Sequence, residues 1–386
     1  MTGMSPVALR PGLNRTAIVC GAGYVSGKEI MALELAEGLR DHGHRIRLVT
    51  SSWHNGDFSR RLQERRISFE ALPLGFLSAT LNLECLRMTG EQLLRAPELL
   101  LGYRRFLKKE APRRIVHTTW HHLLLLWPFL RPERDLFWLH EVIPDRPHYR
   151  RLFGGLARRV QCIVAVSHAV ARSLHGIGIP EHKIRVIYNG LRHPASCVHD
   201  NRRRNGVVRI GIVGQVGEWK GHEDLLVAFS QVAGKDLPVE LHIFGDAETA
   251  FADHLKRRAK ELAVECRVIW HGFVTDQAEI FPQIDICVVP SRSEDPAPLA
   301  AVQAAFSGLP VIATDRGGLP EIVQEDVTGF LVAAECPRQL AERLEQLVRD
   351  KALRERMGEA ARQRAVAQFD TTRFIDTFAD LLESRG

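Results

Sequence analysis

The segment from Pro290 to Pro310 combines acidic side chains with the start of a predicted helix. Glu294 and Asp295 follow a short apolar strand, and Pro298 suits the first turn of the helix behind them. Free N–H groups at a helix start can bind a phosphate, and neighbouring carboxylates can accept hydrogen bonds from sugar hydroxyls. Gln303 stands about one and a half turns into this helix, where we expect it to reach a ribose. The pattern predicts a site for a phosphorylated sugar compound.

A loop with glycines at 211, 214, 217 and 221 is a second candidate for phosphate chemistry. It follows an apolar strand, and Lys220 stands directly before a predicted helix. Its ammonium can meet a diphosphate there as a point charge. The structural alternative is that the glycines only form a tight turn and that the lysine stays in solvent.

A third glycine loop, from Gly21 to Gly27, also lies between a strand and a helix. Glycines such as Gly23 let a backbone approach a ligand closely. A dinucleotide fingerprint would need G-x-G-x-x-G and an acidic residue about 20 positions later. Here the third glycine comes one residue late and the next strand ends in Thr50-Ser51-Ser52, so a nicotinamide enzyme is disfavoured.

The histidines do not predict a metal site. His117 and His121 have a spacing that suits a metal-binding helix, but the flanking pattern predicts a strand and H-E-x-x-H is absent. No D-x-D sequence occurs that would hold a divalent ion, so neither a metal nor another cofactor is expected. His140, at a strand end, is either a ligand contact or a buried core histidine.

Short apolar strands alternate with amphipathic helices twice along the chain. This is typical of α/β proteins, and it predicts two doubly wound, Rossmann-like domains that face each other across a cleft. We predict a first domain over 1–192, a polar linker over about 193–206, a second domain over 207–370 and a C-terminal helix over 371–386 that packs back toward the first domain. Among the predicted elements are strands at Val208–Val213, Val239–Phe244 and Val311–Thr314, helices at His222–Ala233 and Thr371–Glu383, and a long helical region near Gly90–Lys109.

Composition is ordinary for a globular protein, with 45% hydrophobic residues, and neither a membrane-spanning run nor a signal peptide is evident. The cytoplasm is therefore the expected location. Residues 1–200 carry 29 Lys and Arg against 17 Asp and Glu, and residues 201–386 carry 23 against 29. The basic segments Tyr103–Arg114 and Arg146–Arg159 either contact anionic lipid or acidic glycan or form solvated helix faces. They carry few aromatic residues, which disfavours nucleic acid.

Taken in order, these segments resemble the family 4 retaining glycosyltransferases, which have the GT-B fold. The resemblance covers nearly the whole chain. Each motif alone is modest evidence for the family, but together, in this order and spacing, they are strong evidence. The motifs are Ser26-Gly27-Lys28-Glu29, His140-Glu141, Val166-Ser167, Ile187-Tyr188-Asn189-Gly190, Lys220-Gly221, Asp295 to Gln303, and Gly317 to Glu321.

The resemblance implies a role for each matching residue. Lys220 would pair with the diphosphate of a nucleoside diphosphate sugar, Asp295 would contact the transferred sugar, and Gln303 would contact the ribose. His140 would reach the sugar from the first domain. Donor binding would further involve Gly23, Gly214, Gln215, Glu294, Pro298 and Leu299, and the acceptor side would involve Gly23, Tyr24 and Glu29.

Four positions depart from the family pattern. Gln215 replaces the usual arginine, and Asp295 and Gln303 replace the two glutamates. Pro298 replaces a glycine, so Leu299 must supply the nearest backbone N–H. These changes imply weaker donor binding, altered donor choice or lost activity.

The resemblance thus predicts a metal-independent, retaining hexosyltransferase whose acceptor is a glycan or lipid-linked hydroxyl compound. We expect it to act in envelope or exopolysaccharide assembly, in the cytoplasm or peripherally at the inner membrane face. Two alternatives stay open. One is an inactive GT-B relative that scaffolds a membrane glycan-assembly complex, and the other is a nucleotide-sugar epimerase.

Overall fold

The computed structural model describes residues 15–21, 25–53, 56–75, 77, 83–192, 206–274 and 277–384. The chain forms two compact units. Unit 1 consists of Met1–Val166, Val170–Asn189 and Thr371–Gly386, and unit 2 consists of Ser167–Ala169 and Gly190–Asp370. Each unit is built on one parallel sheet, which confirms the predicted α/β class.

The sheet of unit 1 has seven parallel strands in the order β3-β2-β1-β4-β5-β6-β7. Strand β1 pairs with β2 on one side and with β4 on the other, so the winding direction changes between β1 and β4. Loops at such a switch point are common ligand sites in open α/β sheets. The strands are β1 (Arg15–Val19), β2 (Arg45–Ser51), β3 (Phe69–Leu72), β4 (Arg114–His117), β5 (Asp135–Leu139), β6 (Ile163–Ala165) and β7 (Ile184–Val186).

Helices cover this sheet with apolar side chains. Leu99, Tyr103 and Phe106 of one helix are buried against Val19, Ile115 and other strand residues. The helices are α1 (Gly27–Asp41), α2 (Asp57–Glu64), α3 (Leu83–Leu94), α4 (Ala96–Glu110), α5 (Trp120–Leu125), α6 (Pro147–Arg159) and α7 (His168–Gly176), together with the last helix, α14 (Thr371–Glu383).

The sheet of unit 2 has six parallel strands in the order β10-β9-β8-β11-β12-β13, again with the change of winding beside its first strand. The strands are β8 (Val208–Val213), β9 (Val239–Phe244), β10 (Val268–Gly272), β11 (Ile286–Val289), β12 (Val311–Thr314) and β13 (Gly329–Val332). The helices are α8 (His222–Ala233), α9 (Ala250–Glu261), α10 (Leu299–Phe306), α11 (Leu319–Ile322), α12 (Pro337–Arg349) and α13 (Lys351–Phe369).

Several predicted elements are confirmed residue for residue, among them β8, β9, β12, α8 and α14. The helical region predicted near Gly90–Lys109 is confirmed, and the structure divides it into two helices that meet at Arg95. Pro97 explains the break: it has no N–H to donate to the turn before it, and it suits the first turn of a new helix.

The predicted linker falls largely on residues 193–205, which lie outside the described part of the chain. None of the described helices combines the length and the apolar character needed to cross a lipid bilayer.

Candidate active site

The loop that carries Lys220 is held against the end of strand β11. It contains a short 3₁₀ turn, Glu218–Lys220, and Gly221 follows with a φ of +71°. A side chain at Gly221 would overlap the carbonyl oxygen of Pro290. The backbone N–H of Arg292 donates to the carbonyl oxygen of Trp219 at 2.8 Å. Glycine is therefore required both for the left-handed backbone and for this close approach.

The acidic loop after β11 is held in the same way from its other side. Gly317, with a φ of +55°, packs so closely on the backbone of Asp295 that a side chain would overlap it. The N–H of Gly318 donates to the carbonyl oxygen of Asp295 at 2.8 Å. Three loops at the carboxyl ends of β8, β11 and β12 thus form one edge of unit 2, the edge where α/β sheets bind ligands.

Lys220 and Asp295, both predicted to contact a donor, meet at this edge. The Lys220 Nζ lies 2.5 Å from the Asp295 Oδ2, and their side chains are 28% and 12% exposed. An ammonium has three N–H donors, so Lys220 can keep this bond and still donate to a phosphate oxygen. The second Asp295 oxygen can accept from a hydroxyl.

Glu294, the neighbouring carboxylate, supports the loop. Its Oε2 accepts from the N–H of Gly317 at 2.6 Å, and its Oε1 lies 3.3 Å from the Arg316 guanidinium. Both carboxylate oxygens thus have partners within unit 2, which ties the Asp295 loop to the loop that follows β12.

Sequence reasoning missed the ion pair of Arg292 and Asp224. The Arg292 Nε and Nη2 donate to the two Asp224 oxygens at 2.7 and 2.8 Å. The hydrogen bonds to Asp224 raise the pKa of the guanidinium above its usual value. The pair joins the acidic loop to the first turn of α8. It therefore helps to fix the position of Asp295 relative to Lys220. Its members are 68 residues apart, and no local pattern connects them.

The first turn of α10 faces the same edge and begins as predicted beside Pro298. Pro298 precedes the helix and has no N–H, so Leu299 offers the first backbone donor. Gln303 lies half-buried in the second turn, at the predicted distance from the helix start. Gly214 follows β8, and Gln215 beside it is exposed.

His222, the first residue of α8, is a buried neighbour of Lys220. Its Nδ1 lies 3.3 Å from the carbonyl oxygen of Gly217. Burial, aided by the charge of Lys220, lowers the pKa of His222 to about 4, so its ring is neutral near pH 7. A neutral ring adds no repulsion to the lysine.

In unit 1, the predicted acceptor-side residue Glu29 is completely buried at the start of α1. Its Oε2 accepts from the backbone N–H of Ser26 at 3.0 Å and from the Ser26 hydroxyl. Its Oε1 lies 3.5 Å from the Lys28 Nζ. Glu29 therefore stabilises the helix start as part of a capping box. Gly23 and Tyr24, predicted beside it, lie outside the described residues.

His140 follows β5 with a half-buried imidazole. Its Nε2 is buried and has no hydrogen-bond partner among the described residues. Burial, with a contribution from the charge of Lys28, lowers the pKa of His140 to about 3, so the ring is neutral at physiological pH. A neutral imidazole can donate or accept one further hydrogen bond but carries no charge.

The strand predicted at Ile115–Thr118 is confirmed as β4, and His121 lies beyond it in a helix. Trp120–Leu125 forms helix α5, because Thr119 ends the extended segment and the following leucines pack one helix face into the core. His117 stays in β4, where its Nε2 bonds the buried Asp135 at 2.7 Å. Among the described residues, no cluster of His, Cys, Asp and Glu is arranged to hold a metal ion.

Two family models match the chain, one on each half. The model for Glycosyltransferase Family 4 matches residues 25–193, and the model for Glycosyl transferases group 1 matches residues 199–364. The chain belongs to the family 4 glycosyltransferases. The second match includes the Lys220 loop, the acidic loop and the loop at Gly317.

Curated relatives of this glycosyltransferase are distant in sequence. The N-acetyl-alpha-D-glucosaminyl L-malate synthase of Bacillus anthracis is 23% identical over 374 residues, which cover 92% of this chain and 93% of that one. The lipopolysaccharide core biosynthesis glycosyltransferase LpsE of Rhizobium meliloti (strain 1021) is 27% identical over 231 residues, covering 59% of this chain and 66% of that protein.

Solved structures establish the GT-B fold of this glycosyltransferase. Anabaena Alr3699/HepE, crystallised in complex with UDP and glucose, has a TM-score of 0.79 at 20% identity, covering 96% of this chain and all of that one. Sucrose-phosphate synthase from Thermosynechococcus elongatus also reaches 0.79, at 19% identity and with 95% and 98% coverage.

Proposed function

We propose that this glycosyltransferase transfers a hexose from a nucleoside diphosphate sugar to a hydroxyl acceptor with retention of anomeric configuration. The observation that carries the proposal is the contact between Lys220 and Asp295 at the ligand-binding edge of unit 2. A cation for the diphosphate and an acceptor for sugar hydroxyls stand side by side there. Nucleoside diphosphate sugars combine these two groups in one molecule.

Crystal structures of a protein with a similar fold also support the proposed donor class. HepE was crystallised with UDP and with UDP-glucose. We place the diphosphate between Lys220 and the first turn of α10, the transferred hexose at Asp295 and the ribose at Gln303. Gly214 and Gln215 line the nucleotide, and Glu294 holds the loop. An exposed glutamine in place of arginine leaves Lys220 as the principal side-chain cation for the phosphates.

The proposed chemistry depends on stabilising the departing diphosphate. Negative charge develops on its oxygens as the glycosidic bond breaks. Lys220 and the backbone N–H groups from Leu299 onward are fixed donors for that charge. Asp295 keeps the ammonium in place, because the loops on both sides leave its backbone little freedom. We assign no metal ion to this step.

The acceptor in this proposal attacks from the face that the diphosphate leaves. The departing phosphate oxygen takes the proton of the acceptor hydroxyl, so no protein base is needed and retention follows. His140 fits this scheme because its low pKa keeps it neutral. We assign it a hydrogen bond to bound substrate rather than proton transfer.

We further propose a role in envelope or exopolysaccharide assembly, at the inner face of the membrane. The name of LpsE, a lipopolysaccharide core enzyme, supports this. Helix α4 also carries exposed basic side chains at 104, 105, 108 and 109 together with the exposed Leu101. A glycan or lipid-linked acceptor would reach the enzyme at that surface.

The decisive experiment is a thermal-shift panel of UDP-, GDP- and ADP-sugars on the full chain. We expect one nucleotide class to raise the melting temperature of the wild type but not of Lys220→Ala. Lys235→Ala is the matched control, since Lys235 makes an exposed ion pair with Glu345 in the same unit. The donor that binds is then used in a transfer assay, and NMR of the product's anomeric proton reports retention or inversion.

The absence of any shift in folded wild-type protein would contradict the donor site and favour the inactive scaffold. Conversion of the donor without an acceptor would favour an epimerase. A product with inverted anomeric configuration would be compatible with the donor site but would contradict the proposed attack from the leaving-group face.

A further inference from the structure

Unit 1 contains a large cavity at the amino ends of its strands. The cavity measures about 950 Å³ and lies where β4, β5, β6 and β7 begin, together with the last turn of α14. The candidate active-site residues of unit 1 lie at the carboxyl ends of the strands. The cavity is therefore a separate feature on the opposite edge of the same sheet.

The described lining of this cavity is strongly basic. Glu133 is its one acidic residue, and the cationic or titratable basic residues are Arg113, Arg114, His182, Lys183 and Arg185. These cations cluster because each of the strands β4 and β7 starts within a basic stretch. Burial raises the pKa of the Cys162 thiol to about 11, and Arg185, Lys183 and Arg114 all act in the opposite direction on it.

In the described contacts of the cavity, the cations of Arg114, Lys183 and Arg185 donate to backbone carbonyls rather than to carboxylates. The Arg114 guanidinium donates to the carbonyl oxygens of Leu382, Glu133 and Ser384. The Lys183 ammonium donates to the carbonyl oxygen of Val160 at 2.9 Å. Carbonyl groups orient these cations but do not neutralise them, so the cavity keeps a net positive charge.

A polar acceptor without a partner lies beside these cations. The Gln161 Oε1 is buried and has no hydrogen-bond partner among the described residues. A buried amide oxygen costs free energy until a donor satisfies it. The cavity thus presents cations for an anion and an acceptor for a neighbouring hydroxyl.

We propose that this cavity binds a phosphate ester that carries free hydroxyl groups. The phosphate contacts Lys183, Arg185 and Arg113, and a hydroxyl donates to the Gln161 Oε1. Two sources share this chemistry: a soluble polyol or sugar phosphate, and the head group of a glycerol-based anionic phospholipid. The site is independent of the donor site proposed for unit 2.

Isothermal titration of the full chain with glycerol 3-phosphate tests the proposal. We expect one site, with inorganic phosphate binding more weakly because it lacks the carbon-borne hydroxyls. Gln161→Glu should weaken the binding of glycerol 3-phosphate at least about tenfold, because a carboxylate of the same shape repels the phosphate. Arg113→Gln with Arg185→Gln, both at exposed side chains, should do the same. Circular dichroism confirms that each variant is folded.

Two controls make the result specific. Arg105→Gln with Lys109→Gln removes the same charge from unit 1 outside the cavity and should leave the affinity for glycerol 3-phosphate unchanged. Lys220→Ala should also leave it unchanged, which separates this site from the donor site.

Sedimentation with phosphatidylglycerol vesicles, and with phosphatidylcholine vesicles as reference, identifies the source. Vesicle binding lost in Gln161→Glu, without binding of glycerol 3-phosphate, would assign the cavity to the lipid head group. The proposal is overturned if neither probe binds, or if the cavity variants bind both probes like the wild type. Equal affinity for inorganic phosphate and glycerol 3-phosphate would reject the role of Gln161.

Discussion

The Lys220 ammonium and the Asp295 carboxylate lie 2.5 Å apart although 75 residues separate them in the chain. Their contact depends on two glycines that allow three loops to pack backbone against backbone. The pair is only partly shielded from water, so its own contribution to stability is modest. Its importance lies in placing one cation and one carboxylate at the edge of the sheet.

Substitution of Asp295 should separate donor binding from transfer. In Asp295→Asn the Lys220 ammonium loses its anionic partner and keeps at most a neutral amide oxygen, so its charge is more available to phosphate. We expect nucleoside diphosphate to bind as well as in the wild type or better, while kcat falls at least about tenfold because the sugar loses a charged hydrogen-bond acceptor. Calorimetry with the free nucleotide and a transfer assay measure the two effects. Equal losses in both would contradict this division of roles.

Gly221→Ala should destabilise unit 2 beyond the cost of its backbone angle alone. A left-handed angle costs a residue with a side chain about 1 kcal/mol, and the overlap with the Pro290 carbonyl adds to it. We expect a loss of roughly 2–4 kcal/mol in the free energy of unfolding. Gly272→Ala is the matched control, because Gly272 has a φ of +70° but no described atom within 4 Å of the position that an added Cβ would take. Similar losses from urea unfolding in both variants would show that the close approach is unimportant.

Arg292→Lys should behave more like a deletion than like a conservative change. Lysine cannot donate to both Asp224 oxygens in the planar geometry of a guanidinium. We expect a loss of about 1–3 kcal/mol in stability and weaker donor binding, since the acidic loop loses its connection to α8. A double-mutant cycle with Asp224→Ala measures the coupling. A coupling free energy near zero would mean that the ion pair does not hold the loop.

The stability of unit 2 should fall as the pH drops below about 6.5. The folded-state pKa of His222 is about 4, below its unfolded value of about 6.5. Between these values the unfolded chain binds a proton that the folded chain does not. Stability therefore rises with pH in this window, by at most about 1.4 kcal/mol per pH unit for this group. Urea unfolding measures the free energy of unfolding at pH 7 and at pH 5. The difference between the two values should be smaller in His222→Asn than in the wild type. An unchanged difference would exclude His222 as a contributor.

Strand and helix alternation was readable from the sequence, because buried parallel strands are short apolar runs and their helices are amphipathic. Unit 2 elements such as β8 and α8 match their predicted bounds for this reason. Helix α5 was not readable, since its leucines form a continuous apolar run with no period that separates a helix from a strand.

The candidate site was partly readable in the same way. Lys220, Asp295 and Gln303 stand out by residue type beside strand ends. The contact between Lys220 and Asp295 depends on strand order, which places β8 beside β11 and is not encoded locally. The pair of Arg292 and Asp224 and the burial of Glu29 follow from tertiary packing alone.

The last helix belongs to unit 1, although all of unit 2 precedes it in the chain. Trp138 of β5 packs on Phe374 and Phe378 of α14, and Gly38 of α1 leaves room for Ile375. During translation, all residues of unit 2 are therefore available to fold while unit 1 still exposes the apolar surface that α14 later covers. The core of unit 1 is therefore complete only after α14 has been synthesised, although most of unit 1 is translated before unit 2.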